Sequence, residues 1–330
     1  MLGLYLNNPG ELELKEVLSK SPLEDDEVKI KLLYGGICGS DISVFKGKLA
    51  HAKYPVTPGH EIVGEIIEAG KGTNIEIGKR VVVAPNSFCG SCDPCLNGKP
   101  NICENKESLG VTVDGGFSEE FTISSKYILP IPNELTDEKA VLIEPFAVIV
   151  HAFQKIHLTK DTAIAIIGCG TEGMLAITLA KHFGAQITAI DINPIKLEKI
   201  QKSFEGVKTF LPQDVTGKTF DVVIEAAGAK DSVEQGVQIV KPGGTMVMIG
   251  ITPEANFPVI QIVRKELTLH GSIIYNFPAD FKKSIDFLLQ DGFNVDPIIS
   301  KIYHFTDYQN AYNDAVSGQF GKIVLNFKEE

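Results

Sequence analysis

The stretch TAIAIIGCGTEGMLAITLAKHFG, residues 162–184, decides the fold. A short apolar β run ends in glycines at 168, 170 and 173, and a helical pattern follows, closed by Gly184. G-x-G-x-x-G alone is a weak pattern, but a strand before it and a helix after it make it a dinucleotide site. Gly168 allows the tight turn, Gly170 lets backbone approach a pyrophosphate, and Gly173 permits close helix–strand packing. The helix N-terminus offers N–H donors to the phosphates. Asp191 ends the next strand, QITAIDI, where a carboxylate accepts from an adenosine ribose and repels a 2′-phosphate. NAD is therefore favoured over NADP. The alternative is a set of turn glycines in a flavodoxin-like or unrelated α/β domain.

Outward from this turn, strand and helix patterns alternate through NPIKLEKIQKSF, TFDVVIEAAG, TMVMIGI and ELTLHGSI. Such alternation predicts a parallel sheet covered on both faces. The chain before about residue 139 reads as β-rich and loop-rich, with LGLYL, ELELKEV, EVKIKLLYGGIC, GEIIEAG and GKRVVVAP as strands. Two helices and a final strand, GKIVLNF, close the chain. At 330 residues, two domains of ordinary size are expected. A net charge of −11 with no basic cluster argues against nucleic acid or an anionic membrane as partner. The N-terminal residues carry no secretion pattern and no apolar run is long enough to span a bilayer, so a cytoplasmic location is expected.

SFCGSCDPCLNGKPNICE, residues 87–104, packs four cysteines into one loop. Cys89, Cys92, Cys95 and Cys103 follow C-x-x-C-x-x-C-x7-C, a spacing that closes a tetrahedral cage around zinc with no open position. Disulfides between residues three apart would be strained or would constrain little. A metal that does chemistry needs a vacancy. Cys38 in GGICGSD, with His60 and Glu61 in TPGHEIVGEI, offers such ligands among Gly and Pro residues. Each is also a common packing residue. Glu144 sits inside the apolar run LIEPFAVIVHA, either as a further ligand or as a helix N-terminal acid before Pro145.

GICGSD, PGHEIVGEI, CGSCDPCLNGKPNIC, GGFSEE, EPFAVIVHA and GCGTEG, in that order, make the chain resemble the zinc-containing medium-chain dehydrogenase/reductase family over essentially its whole length. EPFAVIVHA looks most like the polyol and sugar-acid branch, which includes sorbitol and L-idonate dehydrogenases. The resemblance implies a Rossmann doubly wound sheet, residues 151–274, inserted in a β-rich GroES-like catalytic domain, residues 1–150 and 275–330. It implies a catalytic zinc on Cys38, His60 and Glu61, with Glu144 bound directly or through the metal's water, and a structural zinc in the four-cysteine cage. Ser40 would take the alcohol's proton and Lys196 would touch the adenosine ribose. The implied reaction is reversible NAD-linked oxidation of a secondary alcohol to a ketone. Alternatives are a threonine or butanediol dehydrogenase, a sugar-phosphate reductase, or a protein that binds NAD without catalysis. Homodimers or homotetramers are implied, with residues 245–259 as the candidate joining edge.

Three positions depart from the family pattern. Ser43 stands where a relay histidine is common. Ile274 precedes Tyr275 where sorbitol dehydrogenases carry arginine. Thr171 and Glu172 replace the usual Pro-apolar pair of the glycine loop, and the residue at the Glu172 position commonly contacts the nicotinamide. Glu172 would then either turn to solvent at the helix N-terminus or face the cationic ring of NAD⁺.

Overall fold

The computed structural model describes residues 1–329. Six parallel strands form one sheet in the order Lys208–Phe210, Gln186–Ile190, Ala163–Ile167, Phe220–Glu225, Val240–Met248 and Thr268–Gly271. Chain direction across the sheet reverses beside Ala163–Ile167, a 3-2-1-4-5-6 order that opens a crevice at the strand's C-terminal end. The glycine turn lies there. Ile164 and Ile166 face one core and Ala165 and Ile167 the other, as a strand buried on both faces requires.

The second sheet runs Ile299–His304, Lys322–Asn326, Glu27–Ile37, Glu61–Ala69, Arg80–Val83 and Ile128–Pro130, with Glu120–Ser124 also paired to Glu27–Ile37. Both ends of the chain therefore share one sheet: Ile323 pairs with Ile37 across an antiparallel ladder. Helices Ile143–Phe153 and Ala279–Leu288 pack on each other where the chain passes between the two sheets. Among the described residues, no helix is long and apolar enough to cross a membrane.

The β-rich first part of the chain also carries a helix, Gly39–Phe45, directly after Cys38. The structure corrects one expectation. Residues 245–259 are not a sheet edge. Val240–Met248 is bonded on both sides, and Thr268–Gly271 is the edge strand.

Candidate active site and metal centres

Cys38 ends the strand Glu27–Ile37 and opens the helix Gly39–Phe45; His60 and Glu61 begin the neighbouring strand. Pairing Gly36 with Glu61 brings the two strand ends together. One ligand atom each from Cys38, His60 and Glu61 lies within 4.8 Å of the others. Gly36 is needed here, since a Cβ on it would stand 2.0 Å from Glu61 Oε2.

Asp41, in the first turn of that helix, organises the cluster. Its carboxylate accepts from the Cys38 N–H at 2.9 Å and the Gly59 N–H at 3.2 Å, and lies 3.3 Å from His60 Nδ1. That contact leaves His60 Nε2 facing the site, 3.2 Å from Ser40 Oγ. Against the effect of burial, the Asp41 charge holds the His60 pKa well above its usual value and Asp41's own pKa is lowered. Glu61 is fully buried; its Oε1 accepts from Lys322 Nζ at 2.5 Å, while Oε2 has no hydrogen-bond partner among the described residues. Burial raises the pKa of Glu61 despite the lysine, and of Cys38 despite His60.

A thiol, an imidazole oriented by a carboxylate, and a carboxylate with an unused buried oxygen fit an open zinc site. Glu144 is buried in the first turn of Ile143–Phe153 and belongs to the same electrostatic cluster. Burial, reinforced by Glu61, pushes its pKa up to about 7, while His60, Lys322 and the Tyr275 hydroxyl oppose the rise. It is therefore not a solvent-facing helix acid.

The four cysteines of the other cluster also come within 4.8 Å of one another, all as free thiols. Cys103 Sγ is 3.8 Å from Cys92 Sγ and 3.6 Å from Cys89 Sγ, near the roughly 3.8 Å edge of a zinc–thiolate tetrahedron. The backbone N–H groups of Ser91 and Cys92 point at Cys89 Sγ and lower its pKa to about 5, readying one thiolate. Four sulfurs leave no vacancy, so this cluster fits a structural zinc.

At the nucleotide turn, Gly168 has φ +96°, and a Cβ on Gly173 would lie 1.8 Å from the Gly168 carbonyl oxygen. Above Gly170 there is open space, the room a pyrophosphate needs at the N-terminus of helix Thr171–His182. Asp191 accepts from the Cys169 N–H at 2.7 Å and the Asn193 N–H at 2.8 Å, which ties the turn to the next strand and leaves each oxygen a lone pair for a ribose hydroxyl. Lys196 lies on the helix Pro194–Ser203, close enough for its charge to reach Cys169.

The chain matches the model of the alcohol dehydrogenase GroES-like domain over residues 24–133 and that of zinc-binding dehydrogenases over residues 173–290. It is 30% identical to D-arabinitol dehydrogenase 1 of Uromyces fabae, covering 98% of this chain and 97% of the relative. The chain belongs to the zinc-binding dehydrogenase family. A sorbitol dehydrogenase of Halalkalibacterium halodurans is 31% identical over 91% of each chain. The crystal structure of galactitol-1-phosphate dehydrogenase from Escherichia coli superposes with a TM-score of 0.90 at 29% identity, covering 99% of this chain and 100% of that one.

In this dehydrogenase the start of helix Thr171–His182 lies near the Cys38, His60 and Glu61 cluster. Met174 packs so closely on Gly321, the neighbour of Lys322, that a Cβ there would meet its methyl carbon at 2.4 Å. Glu172, half-buried two residues earlier, is near enough for its charge to act on both Glu61 and Lys322. Lys322 itself is committed to Glu61 and to the Ile37 carbonyl at 3.3 Å. Ser43 turns its hydroxyl back to the Gly39 carbonyl at 2.9 Å, away from any outward relay. Three residues of the dehydrogenase's site escaped the sequence reading: Asp41, Lys322 and Tyr275, whose buried hydroxyl donates to Asn86 Oδ1 at 3.0 Å beside Glu144.

Proposed function

We propose that this dehydrogenase oxidises a secondary alcohol of the polyol or sugar-acid class to a ketone, reversibly, with NAD⁺. The observation that carries the reading is the convergence of Cys38, His60 and Glu61 beside the helix that opens the nucleotide turn. Cys38, His60 and Glu61 would hold the catalytic zinc, with Glu144 next to it, and Cys89, Cys92, Cys95 and Cys103 the structural one. Bound zinc supplies Lewis-acid polarisation of the alcohol oxygen, and bound NAD⁺ accepts hydride.

The chain's own residues do the rest. Asp41 fixes the His60 tautomer so that Nε2 faces the site. Ser40, 3.2 Å from that nitrogen, takes the alcohol's proton. With Ser43 turned inward, the proton leaves Ser40 through water. Gly168, Gly170 and Gly173 seat the pyrophosphate, and Asp191 and Lys196 hold the adenosine ribose, which favours NAD over NADP. Glu172 faces the nicotinamide side of the crevice. Thr268–Gly271 leaves a sheet edge open, and Val259, Ile260 and Val263 on the helix leading to it are exposed. A homodimer joined there covers both.

Initial rates of NADH formation across polyols, aldonic acids, phosphorylated polyols, vicinal diols, threonine and simple secondary alcohols test the reading. Turnover of polyols or sugar acids above the other classes is expected. Preference for a phosphorylated polyol or threonine would replace the substrate class. NAD binding without turnover of any alcohol would replace the reaction.

A further inference from the structure

After the edge strand Thr268–Gly271, loop 272–278 leads into the helix Ala279–Leu288. Within it Ile274 has φ +41°, a left-handed conformation that a β-branched side chain adopts only where its surroundings impose it. What imposes it comes from the cysteine lobe. Asn86, three residues before Cys89, accepts from the Tyr275 hydroxyl at 3.0 Å, and its own amide donates to Ser108 Oγ at 2.8 Å, which fixes its orientation. Asn101, two residues before Cys103 and buried, donates Nδ2 to the Ile273 carbonyl at 3.2 Å. Lys106 Nζ in turn holds the Asn101 carbonyl at 3.2 Å. The loop is thus gripped on both sides of its strained residue by the two ends of the lobe. On the far side Asp280 Oδ2 takes the Asn276 N–H at 2.7 Å, and the Tyr275 ring packs edge-on to Phe281 with centroids 4.7 Å apart.

We infer that the cysteine lobe is the clamp on loop 272–278: Asn86 and Asn101 are positioning residues that hold Ile274 left-handed and keep the Tyr275 side chain, whose hydroxyl donates to Asn86, in place beside Glu144. The structural zinc then stiffens the wall of the reaction site through these two amides. The link to catalysis rests on the proposed placing of Glu144 in the catalytic centre; the clamp does not.

The test is Asn101→Ala in the full, zinc-loaded chain, read by amide hydrogen exchange of the 272–278 segment alongside zinc content. Removing the donor leaves the half-buried Ile273 carbonyl without its partner, so exchange across 273–276 is expected to accelerate about tenfold or more. Both zincs and NAD affinity stay in place, and kcat/KM for the alcohol falls. Glycine adopts φ +41° without strain. The effect of Asn101→Ala in an Ile274→Gly background is therefore expected to be several-fold smaller. Unchanged exchange in Asn101→Ala, or an equal effect in both backgrounds, overturns the clamp. If Asn101→Ala sheds zinc, the unsubstituted chain decides: chelating zinc from the cysteine lobe must accelerate the same segment, and an unaltered 272–278 overturns the inference. The exchange readout needs no turnover. Absence of alcohol oxidation in the unsubstituted chain would instead overturn the proposed reaction.

Discussion

Replacing Asp41 by asparagine changes few atoms and removes one capability. The carboxylate accepts hydrogen bonds from the N–H groups of Cys38 and Gly59, and its charge faces a third group, His60 Nδ1, 3.3 Å away. All three are donors when His60 presents Nε2 to the metal. An amide has one acceptor oxygen and an NH₂ that only donates. Its oxygen can serve one side, and its NH₂ then meets either a backbone N–H, donor to donor, or His60 Nδ1. The second arrangement moves the imidazole proton to Nε2, where it blocks ligation. Loss of such a carboxylate behind a metal-bound histidine weakens metal affinity by about 10- to 100-fold, or ~1.4–2.7 kcal/mol. An orphaned buried donor costs the metal-free fold a further ~1–3 kcal/mol. The assay is competitive chelation of zinc in Asp41→Asn and the unsubstituted chain, with the four-cysteine site as an internal control. One zinc is expected to weaken and the other to hold. Equal chelation curves for both zincs in the two proteins would refute the assigned role of Asp41.

Glu172→Gln should lower affinity for NAD⁺ relative to NADH by about three- to tenfold, as removal of a unit charge beside the ring in a largely solvated cleft predicts. Binding titrations with both cofactors measure it, and an unchanged ratio would return Glu172 to the role of helix N-terminal acid. Gly36→Ala drives a Cβ into Glu61 Oε2, so the open site should lose zinc affinity at least tenfold and the fold ~1–3 kcal/mol, while the cysteine site is untouched. Burial alone would raise the pKa of Asp280, but His151, the Asn276 N–H and Gln154 together hold it below the usual 3.8. A lowered pKa contributes stability present above the unfolded value and lost as pH falls through the folded one. Asp280→Asn is therefore expected to cost ~2–3 kcal/mol near neutral pH, with the gap closing below about pH 4 in denaturant titrations. A gap constant down to pH 3 would exclude the ionised carboxylate as its source.

The nucleotide half was legible because each of its devices is local. The glycine turn, the strand before it and Asp191 lie within one stretch of chain, and so does the cysteine cage. What escaped was non-local or short. Lys322 meets Glu61 across 261 residues, and Asn101 meets Ile273 across 172. No periodicity records such contacts. The strands Lys208–Phe210 and Ile299–His304 also went unread, the first being only three residues long. Asp41 did leave a signal, since an acid at the third helical position after Cys38 bonds back to the Cys38 N–H as in a capping box. Read that way, GSDISVF announces both a helix and the group that orients His60. Residues 245–259 misled because an apolar run reads alike in an inner strand and at a sheet edge, and only the pairing with Thr268–Gly271 separates the two.

Chemistry is assigned to the open cluster of Cys38, His60 and Glu61 and not to the closed cysteine cage. Zinc content titrated against NADH formation on a polyol tests it in one experiment. A chelator is expected to withdraw the three-ligand zinc first, with turnover falling in proportion and reaching zero with one zinc per chain still bound. Turnover that persists after that first zinc has left, and ends only when the cysteine site empties, would contradict it.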